Sequence, residues 1–143
     1  MMNLFKKIFS KADNKVNEIP NTNLSCAILL IEVSYADFNI SDIEINSIIN
    51  LFVEKLNLSK KDAEWLSEEA KSLHADANCL RKYIKIINEN YSNLQKKDLI
   101  YMAWEIARAD NVVDKHEEHR IRKLSELLHL NHSDFIKAKI NTK

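Results

Sequence analysis

The sequence contains no glycine and a single proline, Pro20. The tight turns of β-hairpins depend on glycine for backbone conformations with positive φ, so a glycine-free chain is poorly suited to a sheet. Asparagine has to provide the left-handed residues that end helices, and we expect it to do so at Asn39, Asn57 and Asn111. The absence of glycine therefore predicts an all-α fold.

Hydrophobic periodicity and capping patterns predict a compact bundle of about seven helices. The first runs from Thr22 or Asn23 to Ala36 and is apolar all round at its centre. The later helices are predicted to begin at or next to Ser41, Ser59, Asp76, Ser92, Asp114 and Asn131. Residues 22–143 form this helical domain, and residues 1–21 precede it as an N-terminal amphipathic arm and linker.

Charge and hydropathy exclude several classes of protein. Lysine and arginine together number 21, as do aspartate and glutamate, so we expect no nucleic-acid partner. No apolar run approaches the roughly 20 residues of a membrane span, and no secretory signal is evident, so a cytoplasmic location is predicted. Cys26 and Cys79 lie in apolar segments and are expected to be free thiols rather than a disulfide.

Acidic and apolar positions recur together at an offset of 73 residues. The acidic pairs are Glu32 with Glu105, Asp37 with Asp110, and Glu44 with Glu117. The apolar pairs include Ile48 with Ile121 and Leu51 with Leu124, and after a one-residue slip Leu56-Asn57-Leu58 pairs with Leu128-His129-Leu130. The repeat predicts two pseudo-symmetric halves, each with an acidic corner.

The acidic corners suggest a site for a divalent cation. Carboxylate and amide oxygens are the ligands that Ca²⁺ and Mg²⁺ prefer, and the six repeated acidic residues are the candidate metal ligands. Neither corner is an EF-hand, because glycine is missing and an isoleucine occupies the twelfth position. A purely structural role is the alternative: Glu44 and Glu117 fall at the third position of their helices, where they cap backbone N–H groups.

Other candidate site residues favour structural roles. His116 and His119 are spaced i, i+3 without a third nitrogen or sulfur ligand, so a solvated helix face is expected rather than a zinc site. Trp65 and Trp104 fall among apolar helical positions and are expected in the core. No phosphate-binding loop and no catalytic triad is evident, so the protein is not predicted to be an enzyme.

These motifs resemble the tellurite-resistance TerB family and the TerB-like domain of the membrane co-chaperone DjlA. The family pattern is a helix with a glutamate, then Ala-Asp-Gly, a turn, a capping residue and a second glutamate. It is matched at Glu32, Ala36-Asp37, Ser41 and Glu44, and again at Glu105, Ala109-Asp110, Asp114 and Glu117. Phe38 and Asn111 replace the glycine. The resemblance covers residues 24–140 and implies an all-α fold of two related halves, associated with tellurite and chemical-stress systems.

We therefore expect a TerB-like binding or scaffolding module whose acidic corners hold a cation or present charge to a partner protein. One alternative is a membrane-peripheral adaptor, tethered weakly through the apolar face of residues 4–9. A second is a metal-dependent enzyme, which requires a pocket lined by both Glu32 and Glu105.

Overall fold

The computed structural model describes residues 19–34, 42–76, 80–109, 113 and 115–141. Within these ranges the chain forms seven helices and no strand, which confirms the all-α prediction. In chain order the helices are α1 (Ile19–Ser34), α2 (Asp42–Lys55), α3 (Lys60–Asp76), α4 (Arg81–Asn90), α5 (Asn93–Ala107), α6 (Lys115–Leu127) and α7 (His132–Asn141). Residues 1–18 of the predicted N-terminal arm and linker lie outside the described residues, and the domain boundary at residue 22 stays a prediction.

Three predicted helix starts are confirmed by hydrogen bonds. The Ser92 hydroxyl accepts from the N–H of Gln95 at 3.2 Å, and the Ser92 N–H donates to Gln95 Oε1 at 2.8 Å, completing a capping box for α5. Asn131 Oδ1 accepts from the N–H of Asp134 at 2.9 Å and caps α7. At α3, the Ser59 hydroxyl accepts from the N–H of residue 62 at 3.1 Å. Side-chain caps therefore set where these helices begin.

Two predicted helix boundaries were wrong. Helix α1 begins at Ile19, before Pro20, rather than at residue 22 or 23. Proline lacks an N–H group, but the first turn of a helix has no acceptor for one, so Pro20 fits there. Asp76 does not cap the fourth helix: it ends α3, and α4 begins at Arg81, with Leu80 in the N-cap position. The apolar spacing that continues to Leu73 extends α3 as far as the residue expected to cap the next helix.

The helix contacts follow the sequence repeat. Helix α1 packs against α3 as α5 packs against α7, and the α2–α3 contact has its counterpart in α6–α7. The first helix of each half also contacts the second helix of the other half, giving the α1–α6 and α5–α2 interfaces. Helix α4 joins the halves and packs against α1. The helices that carry Glu32 and Glu105 therefore take part in equivalent interfaces between the halves.

The core follows the predicted apolar positions. Residues 26–31 in the centre of α1 are all at most 2% exposed, as expected for a helix enclosed by others. Trp104 is fully buried and its ring centroid lies 5.5 Å from that of Phe135, while Trp65 packs against the edge of the core. Cys26 is a buried free thiol, as predicted. Across the described ranges, no helix is both long enough and apolar enough to cross a bilayer.

The turns after α2 and α6 locate the one-residue slip in the repeat. Asn57 has φ 56° and His129 has φ 64°, so equivalent residues adopt the left-handed conformation. Leu130 N–H donates to the Ser125 carbonyl at 3.1 Å, five residues back, in a Schellman turn, whereas Leu58 N–H donates to the Phe52 carbonyl at 3.4 Å, six residues back. The first half therefore accommodates its additional residue inside this turn.

Candidate functional site

Glu32 lies on α1 where the buried apolar run meets the surface. Its side chain is 31% exposed and both carboxylate oxygens have partners on other helices. His74 of α3 donates through Nε2 to Oε1 at 2.7 Å, and Arg120 of α6 donates through Nη1 to Oε2. One carboxylate thus joins three helices, and these partners compensate for the partial burial of its charge.

The charge state of Glu32 is set by competing effects. Burial opposes ionisation, but the hydrogen bond from His74 and the positive charge of Arg120 outweigh it and hold the pKa of Glu32 below its usual value of 4.5. The carboxylate is therefore ionised at neutral pH. A cation that approached Glu32 would have to compete with Arg120 and His74 for its oxygens.

Glu105 holds the equivalent position on α5, but its surroundings differ. It is half-buried and accepts a hydrogen bond from the Tyr101 hydroxyl one turn earlier, which raises the pKa of Tyr101. In the register of the repeat, Ser47 of α2 occupies the position of Arg120. In the part of the chain that the structure describes, no lysine, arginine or histidine forms an ion pair with Glu105.

The remaining acidic candidates divide into two groups. Glu44 and Glu117 are the third residues of α2 and α6 and are only 6% and 7% exposed, so the repeat places two carboxylates at equivalent buried helix starts. Asp37 and Asp110 lie outside the described residues. No three His, Cys, Asp or Glu side chains within the described ranges are grouped to hold a metal ion. Binding of a cation by the complete corners stays a prediction.

A groove opens beside Glu32, between α1, α4 and α6. We call it the α1–α4–α6 groove; its cavity volume is about 690 Å³. Its floor is apolar and consists of Leu29, Val33, Leu80, Ile84, Leu124 and Leu127. Its rim is mainly basic and consists of Arg81, His116, His119, Arg120 and Lys123, with Glu32 as the acidic member. This combination suits a ligand that is both apolar and negatively charged.

Only part of this site was predicted from the sequence. His116 and His119 are exposed, as expected for a solvated face, but both also line the groove. The partners of Glu32 were missed, because His74 and Arg120 lie 42 and 88 residues from it in the chain. The repeat gave no signal for Arg120 either, because its equivalent, Ser47, differs from it as most of the aligned positions of the two halves do.

The fold and its paired corners define a class: a helical repeat bundle with acidic residues at the interface of its halves. A family model described as tellurite resistance protein TerB matches residues 23–140, most of the chain. The chain belongs to the TerB family, which confirms the resemblance that the motifs suggested. No curated protein and no solved structure matches the chain.

Proposed function

We propose that the chain is a binding module that holds a segment of a partner protein in the α1–α4–α6 groove. The observation that carries this proposal is the apolar floor of the groove, which is open to solvent and bordered by basic side chains. Binding sites are typically concave, about 300–1,000 Å³ in volume, and mostly apolar with a few polar groups that fix orientation. The groove has a volume of about 690 Å³ and that mixture of side chains.

Membership in the TerB family supports a setting in tellurite-resistance or chemical-stress systems. A module of this kind would act by recruitment rather than by chemistry. The groove includes Glu32 but not Glu105, so it does not bring together the two carboxylates that the enzyme alternative needs. The membrane-tethered alternative depends on residues 4–9, outside the described ranges, and flotation of the full chain on liposomes tests it.

A dye that fluoresces in apolar sites tests the groove directly. Anilinonaphthalene sulfonate is apolar and anionic, and should become fluorescent with the folded protein. The double variant Ile84→Ser plus Leu127→Ser should lose most of this signal. Leu94→Ser plus Ile140→Ser is the matched control, because those leucine and isoleucine side chains are 69% and 67% exposed and do not line the groove. Near-UV circular dichroism should be unchanged in both variants, since the dye also binds loosely packed states. Equal loss in both, or no signal from the wild type, would refute the proposal.

Cation binding is the second candidate, and the structure favours the second corner for it. Glu105 has no ion pair within the described residues, and Glu117 is a buried carboxylate at the start of α6. Asp110 would supply a further oxygen from the link between their helices. Glu32, by contrast, has both oxygens occupied. A Ca²⁺ or Mg²⁺ ion is therefore proposed to bind at the second corner rather than at the first.

Thermal unfolding of metal-stripped protein tests this second candidate. An ion at 100 times its dissociation constant adds about 2.7 kcal/mol to the free energy of unfolding, which raises the unfolding midpoint by several degrees. Glu105→Gln should abolish the increase, whereas Glu32→Gln should preserve it. Loss of the increase in Glu32→Gln alone would point to the first corner instead.

A further inference from the structure

We infer that the segment held in the α1–α4–α6 groove is an acidic amphipathic helix of a partner protein. The inference rests on the proposed function and specifies the chemistry of the occupant. It has three supports: the length of the groove, the distribution of positive charge along its rim, and the orientation of Arg120 by Glu32.

The groove follows α6 for about three helical turns. Its lining begins at His116 and ends at Leu127, and eleven residue steps along a helix cover about 16 Å. Leu127 is 46% exposed although it is a large apolar residue. An amphipathic helix binds to such a groove through apolar side chains at positions i, i+3 or i+4, and i+7, which repeat over a similar length. The α6 side of the groove is therefore long enough to lie alongside a partner helix whose apolar side chains rest on the floor.

The charges on the rim call for a negatively charged partner. Arg81, Arg120 and Lys123 carry permanent positive charge, and the single acidic residue, Glu32, is already paired with Arg120. On α6, Arg120 and Lys123 lie one turn apart, at positions i and i+3. Cations spaced along a helix in this way match carboxylates that are spaced along a partner helix.

Glu32 acts here as a positioning residue for Arg120. A guanidinium group has five N–H donors in a fixed planar arrangement, so a bond from Nη1 to Glu32 fixes the group while other donors stay available. The arginine side chain remains 31% exposed. A partner carboxylate would meet an arginine whose orientation is already fixed, which reduces the entropy lost on binding.

The N-terminal segment of the chain itself is a poor occupant. It has an apolar face, but its first fifteen residues contain four lysines and one aspartate. Its charge has the same sign as the rim of the groove, and like charges brought together across an interface weaken binding. Charge complementarity therefore favours a partner over this segment.

A pair of synthetic helices tests the inference on the full chain. Both peptides, about 18 residues long, carry leucines with amphipathic helical spacing. One has glutamates along the flanks and the other has lysines at the same positions. We expect fluorescence anisotropy to show at least tenfold tighter binding of the glutamate peptide, and this binding should weaken as the salt concentration is raised.

Lys123→Glu should reduce this preference at least fivefold and increase binding of the lysine peptide. Lys61→Gln, an exposed lysine at the far end of α3 from His74, should change neither.

The role of Glu32 needs a readout that separates positioning from folding. Glu32→Gln should lower the affinity for the glutamate peptide about threefold, and Arg120→Gln should lower it about tenfold. In the Arg120→Gln background, Glu32→Gln should have no further effect on affinity, because the group that it orients is absent. An additive effect would overturn the positioning role.

Two outcomes would overturn the inference while leaving the proposed function intact. Equal affinity for both peptides would mean that the groove accepts apolar segments without regard to charge. Binding of the dye with no binding of either peptide would mean that the site takes a small amphiphile, and laurate displacing the dye would identify that class. Absence of dye binding as well would refute the proposed function itself.

Discussion

Glu32 and Glu105 occupy the same position in two halves of one repeat, yet the fold uses them differently. Each is carried by the first helix of its half, and that helix contacts the second helix of the other half. At the first interface Arg120 pairs with Glu32, and at the second Ser47 stands in the register of that arginine. The first carboxylate is thereby committed to an ion pair at the edge of an open groove. The second retains a hydrogen bond from its own helix and no cationic partner among the described residues. The repeat thus places a carboxylate at the same position in both halves but gives it different partners.

The largest expected loss of stability comes from core substitutions, and it should be the same in both halves. Equivalent core residues are buried alike, whereas Glu32 and Glu105 have different partners. Ile48 and Ile121 are equivalent and both fully buried. Ile48→Ala and Ile121→Ala should each lower the free energy of unfolding by about 2–5 kcal/mol, through lost burial and the cavity left behind. Urea unfolding measures both. A loss confined to one variant would show that the two halves do not share one core.

A smaller effect should separate the two corners. Glu32→Gln should lower the free energy of unfolding by about 1–2 kcal/mol, because it leaves the partly buried Arg120 without its ion pair. Glu105→Gln should cost less than about 0.5 kcal/mol, since it removes no ion pair. Both variants add one amide in place of one carboxylate, so each is a control for the other. Equal losses would mean that the ion pair of Glu32 contributes nothing to stability beyond what Glu105 contributes without one.

The pH dependence of the free energy of unfolding should also reveal the ion pair of Glu32. The pKa of Glu32 is lower in the folded protein than its usual value of 4.5, so its ionised form stabilises the fold above that pH. The stabilisation is lost as the pH falls through the folded-state pKa. The difference in free energy of unfolding between wild type and Glu32→Gln should therefore shrink as the pH falls below about 4.5. A difference that persists undiminished to pH 2.5 would exclude the ion pair as its source.

The smallest effect concerns the two turns that carry the slip in the repeat. Asparagine tolerates the left-handed conformation better than histidine does, and glycine better than either. His129→Gly should therefore raise the free energy of unfolding by about 0.5 kcal/mol, and Asn57→Gly should change it less. Differential scanning calorimetry of the two variants makes the comparison. Destabilisation by His129→Gly would mean that the imidazole contributes more than the backbone conformation costs.

Much of the fold followed from local features of the sequence. Ser92 with Gln95 and Asn131 with residue 134 fix helix starts through bonds that span three residues, which a single sequence reveals. Asn57 was expected in the left-handed conformation for the same local reason. His129 was not singled out for it, although the repeat already paired the two residues. The prediction for Asp76 was wrong because a residue type that prefers helix starts is not confined to them.

The site was less accessible to sequence reasoning. The acidic corners were found because they repeat, whereas the groove depends on how α4 packs beside α1 and α6, and α4 has no counterpart in the repeat. Pairing of Glu32 with Arg120 and His74 depends on long-range packing. The sequence indicated only that Glu32 needed a partner. Asp37 and Asp110 lie outside the described residues, and the cation prediction at the complete corners awaits its own test.

The most direct test of this account is a nitrogen–proton NMR titration of the full chain with the glutamate peptide. Amide shifts should change along α6 from His116 to Leu127 and at the start of α4, around Leu80 and Ile84. The α2–α5 interface, including Ser47, should be unaffected, although it is the equivalent surface of the other half. Shift changes concentrated at that second interface, or spread evenly over both, would contradict the proposal that the partner binds at the α1–α6 interface and not at its α2–α5 equivalent.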